Sequence, residues 1–157
     1  PDKTRMVPFH EPKPRHWQKR GSEPSSPGSF DFLGFTHLWC ENRNRTNWVL
    51  RQMTAKSRFT RSLAAVRQWC RTNRHKALEA QHRALCAKLR GHYGYFGISG
   101  NTRALGRFKL EVFRAWWTWL ARRSQRQNLT RLVDAVKRLP LPQPTIRSRT
   151  PRLAANP

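Results

Sequence analysis

The spacing of apolar residues changes near residue 57 from a period of two to a period of 3.6, and this change divides the chain into two parts. Before it, two β-prone runs rich in aromatic residues, at 30–39 and 47–53, flank a polar turn that contains asparagine. This pattern is typical of a β-hairpin. Because an isolated hairpin is only marginally stable, we expect it to pack on the helices that follow or on a missing sheet.

Three stretches beyond residue 57 carry apolar residues at helical spacing, and each forms one stripe along a predicted helix. The stripes span residues 59–70, 78–96 and 105–120. Asn101 or Thr102 can cap the third helix, since short polar side chains at this position accept hydrogen bonds from the first turn. Short loops containing Gly, Asn or His separate the stripes, so the helices are expected to pack together as a small bundle.

Proline and serine mark the ends of these patterned regions. Residues 1–29 are rich in Pro, Gly and Ser, and three prolines between 140 and 144 end regular structure after a short fourth helix predicted at 129–139. We therefore predict a mainly α fold: a small three-helix bundle preceded by a β-hairpin, with irregular N- and C-terminal segments. The predicted domains are residues 1–53, residues 54–139 and a Pro/Arg-rich tail at 140–157.

Net charge narrows the class of partner. The chain has 32 Lys and Arg against 8 Asp and Glu, a formal charge of +24, and 17 of the basic residues lie between 54 and 126. Such self-repulsion opposes compaction unless a polyanion neutralises it, so nucleic acid or an anionic membrane surface is the expected partner.

Arg outnumbers Lys 24 to 8. Guanidinium groups bind phosphate through two hydrogen bonds and stack on bases, which favours structured RNA, although codon bias in a GC-rich genome also raises Arg over Lys.

The compartment expected is the cytoplasm, in the cytosol or associated with the nucleoid. No apolar run approaches the roughly 18 residues that a membrane helix needs, and no signal-peptide pattern opens the chain. The three cysteines form no CxxC pair and are odd in number, which fits a reducing environment. Because residue 1 is Pro rather than Met, we expect the chain to be the end of a longer protein, or a remnant restarted near Met6.

Residues with catalytic or metal-binding chemistry are few and scattered. The eight carboxylates are spread along the chain, whereas two-metal phosphoryl transfer needs a close pair. His82 and Cys86, four residues apart on a helix, can form half of a zinc site with Cys70 and His75 as the other half. Zinc ligands usually come in pairs across a turn, so we interpret the cysteines as small buried hydrophobes and His92 as a core or edge residue with a satisfied hydrogen bond. We predict no catalytic residue, metal site or cofactor.

Arginines that leave the apolar stripes unbroken are the candidate phosphate ligands, mainly on the predicted helices at 58–74 and 101–123. Among the clustered tryptophans, we expect Trp116 in the core. At most one of Trp117 and Trp119 is expected to face outward, where it can stack on a base. The candidate RNA-binding residues are Arg61, Arg67, Arg71, Arg74, Arg90, Arg103, Arg107 and Arg114.

Residues 30–36 read FDFLGFT and residues 88–98 read KLRGHYGYFGI, and these two segments resemble motifs of group II intron reverse transcriptases, the proteins known as maturases. Residues 30–36, FDFLGFT, resemble the FxFLGF segment at the end of the palm. Residues 88–98, KLRGHYGYFGI, resemble the LRGHxxYxGI signature of the maturase-specific domain X, or thumb. The two motifs together are specific, and the resemblance runs in order across most of residues 3–126. The motif residues are Phe32, Leu33, Gly34, Phe35, Leu89, Arg90, Gly91, His92 and Tyr93.

The resemblance implies a thumb of three helices that follows the last strands of a polymerase palm. It implies that the chain binds its own group II intron RNA, assists RNA folding and splicing, and grips an RNA/DNA template–primer duplex in the full-length protein. In this family the polymerase activity and its Mg²⁺ belong to the fingers and palm, with a YxDD-type motif. The 157 residues contain no YxDD motif, so we expect RNA binding without catalysis by this chain alone.

Two other interpretations stay open. In one, the chain is part of an RNA-directed DNA polymerase that is active only with separately supplied fingers and palm, and primer extension with Mg²⁺ tests this. In the other, the chain is a non-functional remnant of a mobile genetic element. Cooperative unfolding together with binding to its own intron RNA would favour a retained domain over a remnant.

Overall fold

The fold is mainly helical, with antiparallel strands ahead of the helices, and this confirms the predicted class. The chain divides into two compact units, Pro1–Lys56 and Ser57–Pro157. Most of the Pro/Ser-rich loop predicted within residues 1–29, and the end of the predicted tail, lie outside the described residues. The computed structural model describes residues 7–12, 28–42, 44–123 and 129–147.

The first unit contains a three-stranded antiparallel sheet in the order β1 (Ser29–Phe32), β2 (Phe35–Glu41) and β3 (Trp48–Thr54). The predicted hairpin corresponds to β2 and β3. The run at 30–39, which we took as one β-prone stretch, is two strands joined at Leu33 and Gly34. Both turn residues have positive φ, 48° and 83°. This conformation suits the tight two-residue turn that matches the twist of paired strands, and the turn adds the third strand.

Side chains fix the sheet at its second turn and on one side. Asn42 Oδ1 accepts a hydrogen bond from the Thr46 backbone amide at 2.9 Å, and Asn42 Nδ2 donates to Thr46 Oγ1 at 2.8 Å. The ring of Phe9 packs edge-on against Phe30 at 4.8 Å and stacks with Trp39 at 5.6 Å. The asparagine predicted to mark the turn therefore closes it with its own side chain.

The second unit is built from helices whose apolar stripes meet in one core. Phe113 falls within the third predicted stripe, at 105–120, but is 38% exposed, because it lies about 100° around the helix from buried Val112. None of the helices in the described parts of the chain has the length and apolarity to cross a membrane. The helices are α1 (Lys56–Thr72), α2 (Leu78–Phe96), α3 (Thr102–Arg123) and α4 (Leu129–Lys137). The stripe residues buried in this core are Leu63, Val66, Cys70, Leu85, Leu89, Phe96, Leu105, Phe108, Trp116 and Leu120.

A buried polar side chain, Gln81, ties the helices together. Trp116 Nε1 on α3 donates to Gln81 Oε1 at 3.0 Å, which places Trp116 in the core as predicted. Gln81 Nε2 in turn donates to the backbone carbonyl of Lys76 at 2.7 Å, in the loop between α1 and α2. Because a buried amide is costly when its hydrogen bonds are unmade, these contacts set the rotation of α3 relative to α2.

The chain after α4 packs back onto α2 without forming regular structure. Tyr93 Oη donates to the carbonyl of Pro142 at 3.2 Å, and the backbone amide of Arg147 donates to the carbonyl of Gly97 at 2.8 Å. Leu141 is buried. The prolines therefore end helix α4 as expected, while the residues up to 147 cover one side of the helical unit.

Candidate nucleic-acid interface

Helices α1 and α3 lie side by side and run in the same direction. Near their first turns the rings of Phe59 and Phe108 meet edge to face at 5.6 Å. At their C-terminal ends the guanidinium carbon of Arg74 lies 5.7 Å from the ring centre of Trp119. Because both contacts join residues at similar distances along each helix, the outward sides of α1 and α3 form one continuous surface.

That surface carries most of the predicted RNA-binding arginines. On α1 two of the residues are four apart, and on α3 the spacings are four and seven, so each set lies along one side of its helix. Another predicted arginine lies in the turn that follows α1 and contacts the Trp119 ring. A further arginine, missed by the sequence analysis, lies on α3 eight residues beyond Arg114. We refer to this surface as the α1–α3 basic face. It consists of Arg67 and Arg71 on α1, Arg74 in the following turn, and Arg103, Arg107, Arg114 and Arg122 on α3.

One carboxylate, Glu111, joins the two helices in the middle of this face. Its Oε2 accepts from Arg67 Nη2 at 3.1 Å, and its Oε1 accepts from Arg114 Nη1 at 2.8 Å. The Glu111 side chain is 20% exposed, whereas the two arginines are more than half exposed. Exposed ion pairs of this kind add little stability. Their effect here is to hold two guanidinium groups from different helices at a fixed separation.

Aromatic rings support other guanidinium groups on the face. The Arg107 guanidinium carbon lies 5.5 Å from the centre of the Phe59 ring, and that of Arg122 lies 4.8 Å from the centre of the Trp119 ring. A cation over an aromatic face is attracted by the electron density of the ring and loses little hydration at an exposed site. These arginines are therefore oriented before any ligand binds.

Two of the predicted residues, Arg61 and Arg90, take no part in the contacts that join α1 and α3 in the described parts of the chain. Arg61 precedes Arg67 by six residues and so lies about 120° around α1 from it. Arg90 lies on α2 one turn before Gly94, where a Cβ would sit 3.8 Å from Nη1 of Arg147. Arg90 therefore belongs to the side of α2 that faces the chain after α4. The position of Arg90 depends on tertiary packing, so helical spacing alone could not separate it from the other candidates.

At one end of the face, Arg71, Arg74 and Arg122 surround an open cleft of about 760 Å³. Trp119, which is half-buried, forms part of its wall, together with Thr72 and His75. Trp117 is also half-buried, but its ring stacks near Phe113, 6.5 Å away, beside a separate groove between α3 and α4. Both tryptophans are thus partly accessible, on different sides of α3, which differs from our expectation that at most one faces outward.

The turn motif at residues 32–35 lies in the first unit. Phe32 and Phe35 are directly paired across β1 and β2, and Leu33 and Gly34 form the turn between them. The carbonyl of Gly34 accepts a hydrogen bond from the Ala55 amide at 2.9 Å. Phe32 and Leu33 are exposed, at 58% and 66%. Within the described residues, this motif therefore forms a backbone turn, and the apolar side chains of Phe32 and Leu33 are accessible to solvent.

The second motif, residues 89–93, supplies core residues of α2. Leu89 and Tyr93 are buried, and burial raises the pKa of Tyr93 to about 12. Arg90 and Gly91 are exposed. The ring of His92 stacks on Phe108 at 3.8 Å between centres, with an angle of 12° between planes.

Our expectation of a satisfied hydrogen bond for His92 is wrong. Its Nε2 is buried and has no hydrogen-bond partner among the described residues. Burial lowers the pKa of the ring to about 4, since a charged imidazolium would lose hydration without gaining a partner. His92 is therefore held neutral and serves as a flat packing group against Phe108.

The cysteines of α1 and α2, Cys70 and Cys86, are both buried. Cys70 is buried, and burial raises the pKa of its thiol to about 11. The Sγ of Cys86 lies 3.2 Å from Nε2 of His82, which also contacts the carbonyl of Pro140 at 3.1 Å. Within the described ranges, no three His, Cys, Asp or Glu side chains come close enough together to hold a metal ion.

Comparisons of the chain with family models, with curated proteins and with solved structures found no match.

Proposed function

We propose that the chain is an RNA-binding domain that grips the sugar–phosphate backbone of a structured RNA along the α1–α3 basic face. The observation that supports this proposal is the arrangement of seven arginines, from α1, the turn after it and α3, around the contacts that join these helices. Glu111 is the carboxylate that takes part in those contacts among the described residues. Phosphate contacts need positive charge on a rigid support and need no acid–base chemistry.

The dimensions of the face suit a nucleic-acid duplex. Arg103 and Arg122 are separated by 19 residues of helix, which corresponds to about 28 Å along the axis of α3. Arginines at intervals of one to two helical turns can therefore reach several successive phosphates on one side of the duplex, and recognition of this kind reads shape rather than base sequence.

We propose that this RNA is a group II intron because residues 30–36 and 88–98 resemble maturase motifs. On that basis we propose that α1, α2 and α3 form a thumb-like three-helix bundle of an intron-encoded protein. The domain would bind intron RNA during folding and splicing, and an RNA/DNA duplex in a longer protein. The expected result is tighter binding to group II intron RNA than to unrelated RNA of equal length.

The role of the face is tested by two double variants of equal charge. Arg71→Gln with Arg107→Gln removes two arginines from the face, and Arg83→Gln with Arg90→Gln removes two exposed arginines from α2. If the protein neutralises about six phosphates, its affinity for intron RNA should fall roughly a thousandfold between 50 and 200 mM salt. We expect the first variant to reduce the salt slope by about two and the second to leave it nearly unchanged.

Filter binding or fluorescence anisotropy across a salt series measures both slopes, and circular dichroism checks that each variant remains folded. Equal losses in the two double variants would mean that net charge alone attracts the RNA, and would contradict the proposed face. If the unaltered chain binds intron RNA and unrelated RNA with equal affinity at moderate salt, it is a general polyanion-binding protein, and the maturase assignment is contradicted.

A further inference from the structure

The cleft at the C-terminal ends of α1 and α3 differs in chemistry from the rest of the basic face. Its wall contains the indole ring of Trp119, which two guanidinium groups contact. The guanidinium carbon of Arg122, on the same helix, lies 4.8 Å from the ring centre, and that of Arg74, in the turn after α1, lies 5.7 Å from it. Its volume of about 760 Å³ lies within the range of small-ligand sites.

The flat groups in this cleft suit a nucleobase. Nucleobases stack readily on both guanidinium and aromatic planes. Arg122 is exposed, and its guanidinium carbon lies over the Trp119 ring. A base that enters the cleft can therefore stack on side chains that already contact each other, which lowers the cost of ordering them.

The polar groups around the stack suit a phosphate. Arg71 is exposed, and neither Arg71 nor Arg122 is paired with a carboxylate within the part of the chain that the structure describes. Nε of Arg74 donates to Nε2 of His75 at 3.0 Å. Because Nε2 of His75 accepts this bond, a neutral His75 carries its proton on Nδ1 and has a further donor to offer.

We infer that this cleft binds one unpaired nucleotide of an RNA whose duplex lies along the α1–α3 basic face. The base stacks on the layer formed by Trp119 and Arg122, and the phosphate is bound by Arg71. This inference rests on the proposed function and adds to it a structural specificity: RNA with a single-nucleotide bulge is preferred over a fully paired duplex of the same sequence.

The test uses three hairpin RNAs that differ at one position: fully paired, bulged with 2-aminopurine, and bulged with an abasic nucleotide. With the unaltered chain we expect roughly tenfold tighter binding of the 2-aminopurine bulge than of the paired hairpin, and quenching of the 2-aminopurine fluorescence as the base stacks. The abasic bulge should bind like the paired hairpin. Trp119→Leu should abolish both the preference and the quenching, while Trp119→Phe should retain most of the preference.

The control is the affinity of each variant for the fully paired hairpin, and the preference is expressed as a ratio to it, because Trp119→Leu also removes the ring that supports Arg74 and Arg122 on the face. Equal affinity of the unaltered chain for all three hairpins, with the expected salt dependence, would overturn the nucleotide cleft and leave the proposed function standing. Tight binding of the abasic bulge would also overturn it, because flexibility rather than a base would then be recognised. Failure to bind any hairpin would overturn the proposed function together with this inference.

Discussion

His92 is a polar residue that acts in this structure as an apolar packing group. The residue lies on the stripe that the helical period predicted, and its ring fills that position against Phe108 as an aromatic group would. Sequence alone suggested a hydrogen bond for it, since buried polar groups are usually paired. Burial instead keeps the ring neutral. The free-energy cost of burying His92 is therefore small at neutral pH and grows in acid.

We predict that protonation of the unfolded chain makes this residue a source of acid sensitivity. The pKa of His92 is lowered to about 4 from its ordinary value of 6.5, so between these values the unfolded state binds a proton that the folded state excludes. Stability should be unaffected by His92 above pH 6.5 and should fall as the pH is lowered towards 4. His92→Phe should reduce the loss of melting temperature between pH 7 and pH 5.

Thermal unfolding followed by circular dichroism at both pH values measures this effect. His10→Gln, which alters an exposed histidine of the first unit, is the matched control and should retain the full loss seen for the unaltered chain. An acid-induced loss that is the same in His92→Phe and in the unaltered chain would show that another group is responsible.

At the scale of elements, the end of α2 is set by the chain that packs on it. Gly97 follows the last residue of α2, and its carbonyl accepts the Arg147 amide. A Cβ at Gly97 would lie 2.6 Å from the carbonyl oxygen of Thr145 and would also clash with the carbonyl oxygen of Tyr93. Glycine is thus required here by close backbone approach. Gly91, in the middle of the same helix, has nothing within 4 Å of the Cβ position.

Two alanine substitutions in α2 should therefore have opposite effects on stability. Gly91→Ala should stabilise the protein by about 0.5 to 1 kcal/mol, because alanine restricts the unfolded chain and favours helix. Gly97→Ala should destabilise it by about 1 to 3 kcal/mol, because backbone atoms must move to admit the new methyl group. Urea unfolding of both variants measures the difference, and two changes of the same sign would contradict this account of the helix end.

At the scale of the whole molecule, the charge of +24 opposes the compact state that the helices favour. The seven arginines of the α1–α3 basic face concentrate part of this repulsion on one surface. A polyanion bound there removes the repulsion and also binds the folded state in preference to the unfolded one. Stability and RNA binding are for this reason expected to be coupled.

We predict that RNA raises the melting temperature in a manner that depends on salt. At a free RNA concentration 100 times Kd, the added stability should be about 2.7 kcal/mol. Raising the salt concentration without RNA should also stabilise the protein by screening, while weakening the stabilisation that RNA provides. Differential scanning fluorimetry at low and high salt, with and without RNA, tests this, and an RNA effect that is the same at both salt concentrations would argue against phosphate contacts.

Local patterns predicted the elements well. The stripes of α1, α2 and α3 carry most of the buried core, and the short fourth helix is present at Leu129–Lys137. These features follow from helical period and from proline, which act over a few residues of the chain. The turn at Leu33 and Gly34 was missed, because the strands on either side of it share one apolar character and only the backbone conformation separates them.

Residue spacing and composition are sufficient to give the set of helices, their buried stripes, the excess of arginine and the alignment of Arg67 with Arg71 along one side of α1. The packing of the folded chain is needed to place α3 beside that side, with Glu111 joined to a residue 44 positions earlier. Packing also separates Arg90 from the face and brings Arg74 and Arg122 to the Trp119 ring. The physical reason is that helical periodicity is a local property of the chain, whereas the pairing of helix surfaces depends on how all the stripes pack at once.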